Sequence, residues 1–210
     1  MTVACVLRSG GRFGPEWVWA LKRGVNRWLD TSTFEFRCLS DVPGIGMWRI
    51  PLRYDWPGWW AKLELFRPDA FPAGETVLYL DLESLPVGWL TDIASYAGPF
   101  AMIRDLLHPP RGMQSGVMAF TPGDVTAAIW EAWMRDPAGH MRKFRGDGEW
   151  LNANSQPDVL QDIYPGQIVS IRREARMGPP AGARIVCAHG PLMQLNSPTS
   201  GWAHKQWRAA

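Results

Sequence analysis

Cysteine is scarce in this sequence. Three stand among its 210 residues, Cys5, Cys38 and Cys187. None forms a Cys-x-x-Cys pair, which leaves a zinc knuckle or a dithiol redox centre without support. Each sits in an apolar, strand-like stretch and reads as a small buried hydrophobe. An odd count without a pairing pattern fits a reducing compartment. Net charge is scarce too: 22 Lys and Arg against 20 Asp and Glu give +2. That is too weak a bias for a chain living on nucleic-acid phosphates. Even the densest basic stretch, residues 171–176, is interrupted by Glu174. No apolar run approaches a membrane span. Residues 1–7 are apolar but too short for a signal core, and Arg8 closes them, so a cytoplasmic protein is expected. Repeats and low-complexity linkers are absent. One domain over residues 1–210 is the simplest expectation, with a Pro/Gly-rich irregular tail over 191–210.

What the chain does have is a 46% hydrophobic fraction and 13 tryptophans. The first suffices for one substantial core. Most of the tryptophans must serve that core, but some stand beside Pro and Gly, as in Asp55-Trp56-Pro57-Gly58-Trp59-Trp60. Aromatic faces in loops can stack on sugars or bases. Apolar runs at Thr2–Leu7, Phe34–Leu39, Arg49–Leu52, Val77–Leu80, Phe100–Arg104, Gly116–Phe120, Gln167–Ile171 and Arg184–Cys187 predict strands. Helices are expected over Pro15–Leu29, Trp59–Phe66, Trp89–Tyr96 and Asp124–Met134, with a helical turn at Gly148–Asn152. The first opens with Pro in its first turn and carries Val18, Leu21, Val25 and Trp28 at helical spacing. Alternating strands and helices argue for an α/β sandwich with a mostly parallel sheet.

Asp81 and Glu83 follow directly on the buried run Val77–Leu80. Two residues apart in an extended chain, they would project together from the carboxyl end of a strand, where open α/β sheets bind ligands. Adjacent carboxylates repel unless a cation or proton lies between them. Oxygen ligands suit Mg²⁺ or Mn²⁺, and such an ion could bridge a diphosphate.

With Lys62-Leu63-Glu64-Leu65-Phe66 before it, the segment Val77–Gly88 (VLYLDLESLPVG) resembles the core of GT-A glycosyltransferases. It is most similar to the retaining family 8 group, which includes glycogenin and bacterial galactosyltransferases. Ser115–Phe120 resembles the family's Asn-Ser-Gly segment, Gly146–Asn152 its Gly-Asp-Gln segment, and His189-Gly190-Pro191 its late His-Gly motif. These occur in family order between Val3 and Pro191. The resemblance implies a single-domain, Rossmann-like GT-A fold. It implies a Mn²⁺- or Mg²⁺-dependent hexosyltransferase that takes a nucleotide-sugar donor, a UDP-sugar foremost, as co-substrate.

The same resemblance implies the site. Asp81, Glu83 and His189 would bind the metal, with Asp81 also near the ribose. Leu7, Arg8 and Ser9 would line the nucleotide pocket, partly through backbone atoms, and Ser115 and Gly116 would lie close to the sugar. Lys62 would reach the diphosphate or sugar, Asp105 the donor hydroxyls, and Asp147 the reacting carbon. Differences from the family are Glu83 where Asp is usual, Gln114 for Asn, Gly148 for Gln, and no Lys-Pro-Trp after His189-Gly190. The acceptor stays open among glycan, protein, small molecule and nucleic acid. Three other readings are a nucleotidyltransferase with Ser9–Arg12 as its loop, a non-catalytic nucleotide-sugar or glycan binding module, and a nucleic-acid-modifying glycosyltransferase.

Overall fold

The structure, a computed structural model, describes residues 1–188 and 201–209. Its centre is strand β1 (Thr2–Leu7), buried at all six positions. Around it stand β2 (Glu35–Ser40), β3 (Arg49–Pro51), β4 (Val77–Leu80), β6 (Phe100–Arg104), β7 (Met113–Phe120) and β8 (Asp158–Val159). They form one seven-stranded sheet in the order β3-β2-β1-β4-β7-β6-β8. β3, β2, β1 and β4 are parallel, β7 is antiparallel to both β4 and β6, and β8 is parallel to β6. The mostly parallel mixed sheet expected from the alternating pattern is therefore present. A second, three-stranded sheet joins β5 (Ser84–Pro86), β10 (Ile185–Cys187) and β9 (Ile168–Ser170) in that order.

Period-two alternation sorts the strand side chains onto two faces. Val3, Cys5 and Leu7 of β1 and Leu78 and Leu80 of β4 pack on one side, with α1 (Pro15–Trp28) and the small sheet. Ala4 and Val6 of β1 and Val77 and Tyr79 of β4 pack on the other. There they meet a 3-10 helix (Gly58–Phe66), α3 (Asp124–Met134), α4 (Pro137–Lys143) and α5 (Asp147–Asn154). Both faces are covered, as a parallel sheet requires. The three cysteines are free and buried.

Several elements differ from the sequence expectation. Residues 58–66 form a 3-10 helix. Apolar residues surround that segment instead of lining one stripe, and Trp60, Leu63, Leu65 and Phe66 are all buried. The helix expected over Trp89–Tyr96 shrinks to α2 (Thr91–Ala94), and a short α6 (Leu160–Ile163) follows β8. β7 starts at Met113, three residues early. Part of the tail expected to be irregular is helical: α7 (Gly201–Ala209) docks on α1. Trp207 lies 4.6 Å from Trp17, ring to ring, and Trp202 Nε1 donates to the Ala175 carbonyl at 3.0 Å.

The 3-10 helix is anchored by a buried charge. Glu64 is fully buried; it accepts from the backbone N–H of Arg53 (2.9 Å) and Tyr54 (2.9 Å) and pairs with buried Arg67. Removing one partner of a buried pair strands the other charge. Glu64→Ala should therefore lower unfolding stability by about 3–5 kcal/mol in urea titration. A loss under about 1 kcal/mol would mean that this carboxylate does not hold the 53–54 segment.

Candidate active site

The chain runs outward from β1 through β2 to β3, then crosses back to place β4 on the other side of β1. The strand order thus reverses between β1 and β4, and ligands bind at such points beyond the carboxyl ends of the strands. A cavity of about 520 Å³ lies there. The first loop contributes Arg8, Gly11, Arg12 and Phe13; the 3-10 helix contributes Trp59 and Lys62; the segment after β4 contributes Asp81 and Glu83.

The acidic pair reaches this cavity by a turn. β4 ends at Leu80, and Ser84 N–H donates to the Asp81 carbonyl at 2.8 Å. The extended-chain argument for Asp81 and Glu83 therefore fails, yet the turn brings both carboxylates to one wall. Asp81 Oδ1 accepts from Tyr79 O–H at 2.5 Å and lies 2.7 Å from Lys62 Nζ. Glu83 Oε2 lies 2.6 Å from Arg12 Nη2. β7 lies beside Asp81 here: the Asp81 N–H donates to the Gly116 carbonyl at 2.9 Å, and a Cβ at Gly116 would meet Asp81 Oδ2 at an ordinary 3.5 Å.

Lys62 joins this wall to a deeper group. Its side chain is 13% exposed, and Nζ also lies 3.7 Å from Asp147 Oδ2. Burial disfavours the ammonium, but the carboxylates of Asp147, Asp81 and Glu83 outweigh it and raise the lysine above its ordinary value. Asp147, 5% exposed, opens α5 and accepts from Ser115 O–H at 2.5 Å. Burial raises its carboxyl, against the opposing pull of Lys62 and Ser115. The glycine after it has a packing reason. A Cβ at Gly148 would stand 3.2 Å from Ser115 N and 3.3 Å from Gln114 Cα, so α5 and β7 meet more closely than a side chain there allows.

Of the residues singled out from sequence, Asp81, Glu83, Lys62, Asp147, Ser115 and Gly116 are brought together, and Arg8 lines the same cavity. The Leu7 side chain is buried in the core on the α1 side, which leaves only its backbone for the pocket, and Val6 is among the cavity-lining residues. Ser9 donates its N–H to Asp41 at 2.8 Å and also bonds it through its hydroxyl. Arg8 pairs with both Asp41 and Asp55. Asp105 is committed to its own loop, accepting from the N–H groups of Leu107 (2.9 Å) and His108 (2.8 Å). His189 lies outside the described residues.

Asp41 and Tyr79 were not singled out from sequence, and Arg12 and Trp59 entered only as parts of the Ser9–Arg12 loop and the loop tryptophans, without an individual role. Position was the available signal for two of them: Asp41 directly follows a parallel strand, and Arg12 ends a Ser-Gly-Gly loop. Trp59 is 55% exposed at the cavity, whereas its neighbours Trp56 and Trp60 are buried. Among the described residues, no three His, Cys, Asp or Glu side chains form a metal-binding group, and no helix is long and apolar enough to cross a membrane.

No family model matches the chain by sequence, and no curated protein does. Solved structures do match in shape. The glycosyltransferase GlyE of Streptococcus pneumoniae TIGR4 superposes with a TM-score of 0.70 at 16% identity, over 99% of this chain and 62% of GlyE. This chain thus spans less than two thirds of that protein. The galactosyltransferase LgtC, solved in complex with donor and acceptor sugar analogues, gives 0.66 at 10% identity, over 100% of this chain and 96% of LgtC. A glycosyltransferase involved in glycosylating the major capsid of PBCV-1 gives 0.59 at 10% identity, with 100% of both chains covered. This chain accordingly has the GT-A fold of these glycosyltransferases.

Proposed function

We propose that this protein transfers a sugar from a nucleotide diphosphate sugar, a UDP-sugar foremost, to an acceptor hydroxyl with retention of configuration. One observation carries the reading: Lys62 bridges Asp81 on the cavity wall and buried Asp147 behind it. A cationic contact for a phosphate thus adjoins a carboxylate shielded from water. In the transfer, the bond from the anomeric carbon to the diphosphate oxygen breaks and a bond to the acceptor oxygen forms. The acceptor proton passes to the departing phosphate. Positive charge builds on the sugar meanwhile, and a nearby carboxylate stabilises it.

The acidic wall fits a divalent cation. Asp81, Glu83 and Asp147 carry three negative charges against the two positive ones on Lys62 and Arg12, while Arg8 on the same cavity is matched by Asp41 and Asp55, so the wall keeps an acidic balance. Asp81 and Glu83 would hold Mn²⁺ or Mg²⁺ through oxygen. Cys187 pairs in register with Ser84, the residue after Glu83. Its thiol is pushed up by burial and then by Asp81 and Glu83. His189, two residues on in sequence, is the third ligand in this reading. A cation bound there supplies countercharge to the diphosphate leaving group.

The test is release of nucleoside diphosphate from UDP-glucose and UDP-galactose, with and without Mn²⁺. Slow hydrolysis even without an acceptor, abolished by EDTA, is the expected result. No release from any nucleotide sugar, despite measurable binding, would instead make this a non-catalytic nucleotide-sugar binding module.

A further inference from the structure

The cavity wall holds three cationic side chains, and they are not equally free to move. Arg8 is pinned by Asp41 and Asp55, and its Nε donates to the Trp56 carbonyl at 3.2 Å. Lys62 is buried between Asp81 and Asp147. Arg12 differs in position and surroundings. It ends a loop in which Gly10 takes a φ of +79°, its side chain is 44% exposed, and it meets Glu83, itself 18% exposed, at 2.6 Å. Its guanidinium carbon also lies 4.7 Å from the centre of the Phe13 ring, another cavity residue. A partly exposed ion pair is weak. A guanidinium has the planar fork that matches phosphate oxygens.

We propose that Arg12 binds the donor's diphosphate, exchanging Glu83 for phosphate oxygens when the donor enters. This rests on the nucleotide-sugar reading above and adds to it a residue and a coupling. While Arg12 holds Glu83, it competes with a divalent cation for that carboxylate. Diphosphate draws Arg12 away from Glu83 and removes that competition, so donor and cation each strengthen the binding of the other.

Binding of UDP, GDP and ADP, measured by calorimetry in EDTA and again in Mn²⁺, tests this on the full chain. The best nucleotide for the wild type is then used with the variants. Arg12→Gln should weaken its metal-free binding at least about tenfold and tighten binding of Mn²⁺ alone. Glu83→Gln, which removes the competing carboxylate, should strengthen metal-free binding a few-fold. Opposite signs from the two partners of one ion pair are not expected if the pair only braces the loop. Equal losses in both variants, or metal-free affinity within twofold of wild type in Arg12→Gln, would overturn the assignment while leaving the donor reading intact. If the wild type binds no nucleoside diphosphate in either condition, the donor reading falls and this proposal falls with it.

Discussion

Exchanging Asp81 for asparagine should remove most metal-dependent donor turnover while the protein stays folded. Asp81 is the residue on which the site converges. It takes the Tyr79 hydroxyl at 2.5 Å and the Lys62 ammonium at 2.7 Å, and its N–H donates to the Gly116 carbonyl of β7 at 2.9 Å. Asparagine keeps an oxygen for the Tyr79 hydroxyl, so that buried phenol is not left without an acceptor, an omission that costs about 1–3 kcal/mol. What asparagine cannot supply is charge. Losing one anionic ligand should lower turnover by roughly a hundredfold or more, the scale on which removal of a single preorganised electrostatic contact acts. Initial rates across a Mn²⁺ titration would check it, with thermal melts as the control for folding. Turnover within a few-fold of wild type at every Mn²⁺ concentration would remove Asp81 from the metal site. A collapse of the melting temperature would assign the residue to the core instead; Asp81→Glu, which keeps the charge, then separates the two effects.

The fold was legible where a strand is buried on both faces. Thr2–Leu7 and Val77–Leu80 are short unbroken apolar runs, and the structure gives both with the expected bounds. Pro15 opens α1 as its position promised. The segment around Lys62 was harder. Its residues are apolar all round, and a segment enclosed on every side has no stripe from which to read a helical period. α7 was missed for another reason. Its stabilising contacts, Trp207 on Trp17 and Trp202 on the Ala175 carbonyl, join residues far apart in sequence, and nothing local announces them.

The site divides in the same way. Asp81 and Glu83 were found because an acidic pair after a buried strand is conspicuous, although a turn and not an extended chain places them. Asp147 was found through resemblance; between two glycines it looks like a turn aspartate, and only the packing of α5 against β7 shows that it is buried. Leu7 and Asp105 show the converse. A position inherited from a motif does not fix where a side chain goes. Leu7 falls on the core face of β1 by simple alternation, and Asp105 is held by two backbone N–H groups of its own loop. Arg12 entered only with the loop of a rival reading and received no role of its own, because a half-exposed arginine in a Gly-rich loop looks like any surface residue until its partner, 71 positions away in sequence, is known.

Asp147→Asn should keep donor binding and lose most transfer. The side chain lies behind Lys62, away from the first contact with a diphosphate, so a binding isotherm for UDP should hardly move. Asparagine can still accept from the Ser115 hydroxyl, which preserves the junction of α5 with β7. The missing element is negative charge beside a sugar that becomes positive as its bond to phosphate breaks, and its loss should cost roughly 10²- to 10³-fold in rate. The pH dependence gives a second, independent readout. Burial holds the Asp147 carboxyl above its ordinary value of 3.8. Between that value and the raised one, the native state binds a proton that the unfolded chain has released, so stability falls as pH rises through this window. Activity should run the other way, rising as the buried carboxyl ionises. In Asp147→Asn both slopes from this group should vanish together. Weakened UDP binding with turnover intact would place Asp147 among the donor contacts. A wild-type acid limb that persists unchanged in the variant would show that another carboxyl governs the rate.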